Sequence, residues 1–122
     1  MGLRISNIFE EPDYDLIPSF WDDPHLRKWN LWSWVHSRDV AQACRLALDA
    51  DVPGSENFTI AAADTLMRQP SRELMATFFP GVPVGPEIGT FDTLLSIARA
   101  RRVLGYEPRH SWRTVAVEPT RA

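Results

Sequence analysis

The chain has 122 residues, the length of one domain, and its 44% apolar and 24% charged content is that of a globular protein rather than a disordered one. A formal net charge of −3 argues against a protein that mainly holds nucleic acid phosphates. No apolar run approaches the ~18–20 residues that cross a membrane, so neither nucleic acid nor membrane is an expected partner.

The single cysteine, Cys44, excludes an internal disulfide framework and a cysteine-clustered zinc site. The opening residues lack the basic-then-apolar pattern of a secretion signal, so a cytoplasmic location is expected. Five tryptophans are many for this length, and Trp29, Trp32 and Trp34 lie within six positions.

Taken in order, Leu3–Ile8 alternates apolar and polar residues, the period of a half-buried strand. From Phe9 to Lys28 three prolines and two acidic pairs indicate a loop, with a short helix around Leu16–Trp21. Leu31–Val35 is aromatic and apolar and predicts a second strand, whose alternation would put Trp32 and Trp34 on one face. A helix follows, with Ser37 as cap, Asp39 in the first turn, and Val40, Ala43, Cys44, Ala47 and Leu48 as its apolar stripe. On that stripe Cys44 would be buried and inert.

Pro53-Gly54 ends that unit, and Asn57–Ala62 is a third strand candidate. A second helix starts near Pro70 or Ser71, turns Leu74, Met75 and Phe78 inward, and stops at Pro80-Gly81. A third helix is expected over Asp92–Leu104, with Asp92 as cap, Arg99, Arg101 and Arg102 in its last turns, and Gly105 beyond its end. The tail after Trp112 reads as frayed. Strands separated by long connections imply parallel pairing, yet a parallel sheet is stable only when helices cover it. The inventory therefore reads as one α/β unit over residues 1–122 that looks like the end of a larger fold.

The order of four motifs is more specific. A Leu-Arg-x-x-Asn strand (Leu3–Ile8), a Val-His-x-x-Asp-Val-Ala stretch (within Trp32–Ala43), an Asn-Phe-x-Ile strand (Asn57–Ala61) and an Ala-x-x-x-Leu-Gly-Tyr-x-Pro turn (within Ala98–Pro108) follow one another. Together they resemble the C-terminal part of the extended short-chain dehydrogenases/reductases, the NAD-dependent epimerase/dehydratase group. The resemblance implies the C-terminal portion of a Rossmann-like fold, with a few short strands and about three helices, lacking the N-terminal dinucleotide-binding half.

The family's Gly-x-x-Gly-x-x-Gly turn and its Tyr-x-x-x-Lys pair are absent: the tyrosines are Tyr14 and Tyr106, and the sole lysine is Lys28. No cofactor is therefore expected on this chain by itself, although NAD or NADP is implied for the full-length family, and no catalytic residue is assigned. Where sugar-nucleotide epimerases place a phosphate-binding arginine before the Val-His strand, this chain has Trp32, and a second such arginine would fall in Gly85-Pro86. Both departures suggest a less charged or more aromatic substrate.

Asn7, Trp32 and His36 are the candidate substrate-side residues. For Asn7 the alternative is a strand-end hydrogen bond, for Trp32 burial in the core, and for His36 an internally bonded ring. His25 and His110 have no partner at metal-ligand spacing. The expected function is that of the substrate-binding portion of an NAD(P)-dependent epimerase/dehydratase-like protein, not competent alone. The alternatives are a non-catalytic binding or interaction module and a fragment of a longer enzyme. A small-molecule substrate is the expected ligand. A homodimer through the exposed edge of the Leu3–Ile8 strand, with apolar surface around Ile5, Ile8 and the tryptophans, is the expected assembly.

Overall fold

The computed structural model describes residues 1–114. Its first segment changes partner half-way along. Strand β1 (Gly2–Ile5) lies parallel to β4 (Asn57–Ile60), with Gly2 beside Asn57 and Ile5 beside Ile60. After a break at Ser6-Asn7, β2 (Ile8–Phe9) lies parallel to β3 (Val35–His36). The predicted Leu3–Ile8 strand is thus two strands. Ser6 N–H donates to the Ile60 carbonyl (3.1 Å), Val35 N–H to that of Asn7 (2.8 Å), and Ala62 N–H to that of Trp34 (2.7 Å). The 33–36 stretch thereby wedges between the first segment and residues 60–62, and the Ser6 and Ser33 hydroxyls meet 2.6 Å apart at the fork. The result is a small mixed α/β fold with short strands and a few helices.

No strand runs over 31–34. Leu31 and Trp32 sit in the left-handed region (φ 57° and 58°), which turns the chain out of any ladder. Their N–H groups bond backward, to Lys28 and Arg27. The aromatic run is nevertheless a burial signal, because Trp32 and Trp34 are both fully buried. They join Tyr14, Trp21, Leu66 and Trp112 in an aromatic core, where Tyr14 meets Trp34 edge-on at 5.7 Å. Each buried indole N–H has an acceptor: Leu66 O for Trp21, Pro24 O for Trp32, Asp64 Oδ1 for Trp34 and Thr65 O for Trp112. The segment feeding this core is a 3-10 turn over Glu11–Leu16 followed by α1 (Ile17–Trp21).

A second core lies under α2 (Ser37–Asp49). The cap is His36 rather than Ser37, its ring Nδ1 accepting from the Arg38 N–H at 3.0 Å. The buried face of α2 centres on Asp39 and Ala43, with Val40, Leu46 and Ala47 beside them. Cys44 and Leu48 are both exposed, Leu48 at 86%, because they project from the far side of the helix. Phe58, Ile60, Ala100, Leu104 and Tyr106 complete this core. β1 and β4 are therefore two-faced: Leu3, Phe58 and Ile60 point inward, while Arg4 and Thr59, side by side in register, occupy the other face. A parallel sheet covered on both faces would read as a near-continuous apolar run.

Helix α3 (Ser71–Phe78) begins after Pro70 and ends before Pro80-Gly81, as its pattern predicts. The helix expected from Asp92 begins only at residue 98 and closes as a π-type turn, α4 (Ala100–Leu104), with Gly105 left-handed beyond it (φ 76°). Side chains divert the backbone before that. Asp92 accepts from the Gly89 N–H, Thr93 from that of Leu95, and Ser96 from that of Ala98. Trp112–Thr114 is an ordered 3-10 turn with Trp112 buried, so the chain is not frayed there, while the rest of the expected tail lies outside the described residues.

Ile5 and Ile8 are exposed, whereas Trp32 and Trp34 contribute no apolar surface. Phe58→Ala should lower stability by about 3–5 kcal/mol in denaturant melts, whereas Leu48→Ala should stay within about 0.5 kcal/mol of wild type. Equal losses at both positions would invert the assigned face of α2.

Candidate functional site

At the fork, a cleft of about 350 Å³ opens beside the β1–β4 pair. Arg4, Ser6 and Thr59 come from those strands and their ends, Asn7 from the break, and Trp29, Asn30 and Ser33 from the loop before β3, with Ile5 and Leu95 adding apolar surface. The loop is built from two 3-10 turns, Pro24–Leu26 and Lys28–Asn30, followed by the left-handed pair Leu31-Trp32. Left-handed backbone costs roughly 1–2 kcal/mol at a non-glycine residue. Burial of the Trp32 ring and its 2.8 Å bond to the Pro24 carbonyl hold it there. Strain of this kind concentrates where a side chain must be held in one place.

Asn30 immediately precedes this left-handed pair. Its amide oxygen and nitrogen are both buried, and neither has a partner among the described residues. A buried polar group left unpaired costs about 1–3 kcal/mol and is rare enough to require a reason. Beside it, Trp29 is 70% exposed, the one tryptophan of five that the cores leave out. The lining thus holds three hydroxyls, of which those of Ser6 and Ser33 bond each other, the Asn7 amide, a guanidinium and an indole, while the Asn30 amide atoms have almost no accessible surface. Among the described residues the lining includes no carboxylate, imidazole or thiol.

A larger depression, about 630 Å³, lies beside residues 92–98 and is bounded by Glu87, Asp92, Arg101 and Arg102. Its charges are of both signs and exposed, and none of its polar atoms is buried without a partner among the described residues. It lacks the features that distinguish the fork cleft.

Of the three residues expected on the substrate side, the structure places Asn7 on the cleft. Trp32 lies in the aromatic core as described, and His36 lies elsewhere, at the N-terminus of α2. Because its Nδ1 accepts from Arg38, the other ring nitrogen carries the proton toward Glu11 Oε2, 3.0 Å away. The His36 ring stacks on His110 at 4.4 Å. His110 gains an acidic partner from far along the chain: its Nδ1 is 2.9 Å from Asp39 Oδ1. Asp39 is itself buried and also accepts the backbone N–H groups of Arg109 and His110, each at 3.1 Å. It is far more than a helix-start residue. No three metal-ligating side chains converge among the described residues.

The shifted groups lie around this cluster and the aromatic core. The His36 ring and backbone hydrogen bonding hold the Glu11 carboxyl below the usual carboxylate range. Burial, reinforced by Glu11, Asp64 and Asp39, pushes the Tyr14 phenol up to about 12. Burial raises Tyr106 as well, with Asp39 adding to it. Burial lowers the Arg113 guanidinium, and its ion pair with Asp64 opposes that.

No protein-family model matches this chain, and no curated protein or solved structure does so either.

Because the amide of Asn30 is buried without a partner, Asn30→Ala should leave stability unchanged or raise it by up to about 2 kcal/mol in denaturant melts. A loss above about 1 kcal/mol would show that the amide is bonded in the native state. Both tyrosines ionise less readily folded than unfolded, where the phenol pKa is about 10. Their contribution is complete below about pH 10 and is lost as pH rises toward 12. Melts between pH 8 and pH 11 should show this fall, at up to ~1.4 kcal/mol per pH unit for each tyrosine, and Tyr14→Phe should flatten it.

Proposed function

We propose that this chain is the substrate-side portion of an extended short-chain dehydrogenase/reductase-like protein, with the fork cleft holding a small molecule. The observation that carries this reading is the position of Asn7. It follows the carboxyl end of a parallel strand and lines a crevice there, the place where open α/β folds bind ligands. The resemblance gives the same position to a substrate-side asparagine. Asn30, whose buried amide has no partner among the described residues, lies in the loop that lines the same crevice.

The residues described do not fit a dinucleotide. The one strand that runs directly into a helix among them is β3, and the Arg38 N–H at that helix start is already bonded to the His36 ring. No glycine lies in Val35-His36-Ser37-Arg38 to let a pyrophosphate approach the backbone. Among the described residues no carboxylate, imidazole or thiol lines the cleft, which supports binding rather than proton transfer there. Hydride chemistry would require residues that the sequence does not include.

Calorimetry with NAD+ and with NADP+ should give no binding at micromolar affinity. In 15N NMR titrations with a set of simple sugars and hydroxylated aromatic compounds, the Asn7 and Ser33 amides and the Trp29 indole should shift together. Micromolar cofactor binding, or shifts clustered away from the fork, would overturn the reading.

A further inference from the structure

We infer that the fork cleft takes a small carboxylic acid carried on a ring, with Arg4 pairing the carboxylate and Trp29 covering the ring. This rests on the cleft being the binding site proposed above and goes on to name the class of its ligand.

The charge distribution carries the first half. Sixteen carboxylate side chains outnumber thirteen cationic ones in the sequence, yet among the described residues Arg4 is the only charged one on the lining. Two described arginines form ion pairs, Arg99 with Glu56 at 3.2 Å and Arg113 with Asp64, and the others do not. Arg4 has no ion pair among the described residues. It stands on the outward face of β1 beside Thr59, with Ser6 next on the same face. A guanidinium flanked by hydroxyls suits a planar carboxylate, which it can grip through two parallel hydrogen bonds. One cation with no second one nearby matches a single negative charge better than the near-double charge of a phosphate monoester.

Trp29 carries the second half. The other four tryptophans bury their rings and bond their N–H groups, whereas Trp29 stands exposed at the cleft. An indole face packs against an aromatic ring or the apolar face of a sugar. The volume, about 350 Å³, is at the small end for ligand sites and admits one substituted ring rather than a dinucleotide. Asn7, at the break, then meets the ring's polar substituents. Aromatic acids and sugar acids share this chemistry.

The test uses two matched pairs of ligands on the full chain: benzoate against benzyl alcohol, and glucuronate against glucose. Each is titrated while the Asn7 and Ser33 amides are followed by 15N NMR. In at least one pair the acid should bind about ten-fold more tightly than its neutral partner, and the pair that does so identifies the source. Arg4→Met should remove that preference and leave the neutral compound's affinity unchanged. Trp29→Ala should weaken acid and neutral compound alike. Both side chains are solvent-exposed, and Arg4→Lys, which keeps the charge but not the fork, should retain part of the preference.

If acid and neutral compound bind at the cleft within about two-fold of each other, or if Arg4→Met binds the acid like wild type, this inference fails and the cleft reading stands. If none of the four moves the cleft signals, both fall.

Discussion

The carboxylate of Asp39 organises this fold. It is buried in the first turn of α2 and accepts two backbone N–H groups and a ring nitrogen from Arg109 and His110, some seventy positions later. A buried charge tolerates such a place only when its lone pairs are filled, and losing the partners of a buried ion costs about 3–5 kcal/mol. That tie fixes the direction of the closing segment. Gln42 and Glu107 exchange two further bonds of 2.8 Å alongside it, and the Tyr106 hydroxyl donates to the Ala61 carbonyl. With residues 106–110 held this way, Trp112 is delivered to the aromatic core, 5.6 Å from Trp21.

The two cores meet at the fork. Leu3 and Val35 belong to the core under α2, whereas Phe9, Trp32 and Trp34 belong to the aromatic one. A single short segment cannot serve both without a break, and Ser6-Asn7 is that break. The cleft is its consequence: the strands part, and the Trp29–Ser33 loop fills the gap only in part. The left-handed pair at 31–32 aims Trp32 into the core and leaves Trp29 outside, which is how one run of tryptophans divides between stability and surface.

Periodicity in the sequence reveals α2 and α3 almost to their ends, because proline and glycine punctuate them. It misplaces the buried face of α2 because the helix is rich in small apolar residues, and two stripes can be drawn through them. Asp39 selects the stripe, and its partners lie seventy residues away, beyond the reach of any local pattern. The strand expected over 31–35 fails for a related reason: aromatic residues report burial, and a turn can bury them as well as a strand. Residues 92–97 have the composition of a helix, but Asp92, Thr93 and Ser96 bond to nearby backbone instead. Of the cleft, Asn7 is legible through its motif, whereas Asn30 gives no sequence signal at all, since an unpaired amide exists only in three dimensions.

The fork also bears on cooperativity. Arg4 and Thr59 belong to the sheet of one core, and the loop carrying Trp29, Asn30 and Ser33 is anchored in the other by Trp32. A molecule held between them would be a cross-link by mass action: it would bind only when both cores are formed, so its binding free energy would be shared by both. Occupancy would then merge any separate melting of the two cores into one transition and raise its midpoint with ligand concentration. The same geometry that leaves a gap between the cores makes that gap the point from which both can be stabilised at once.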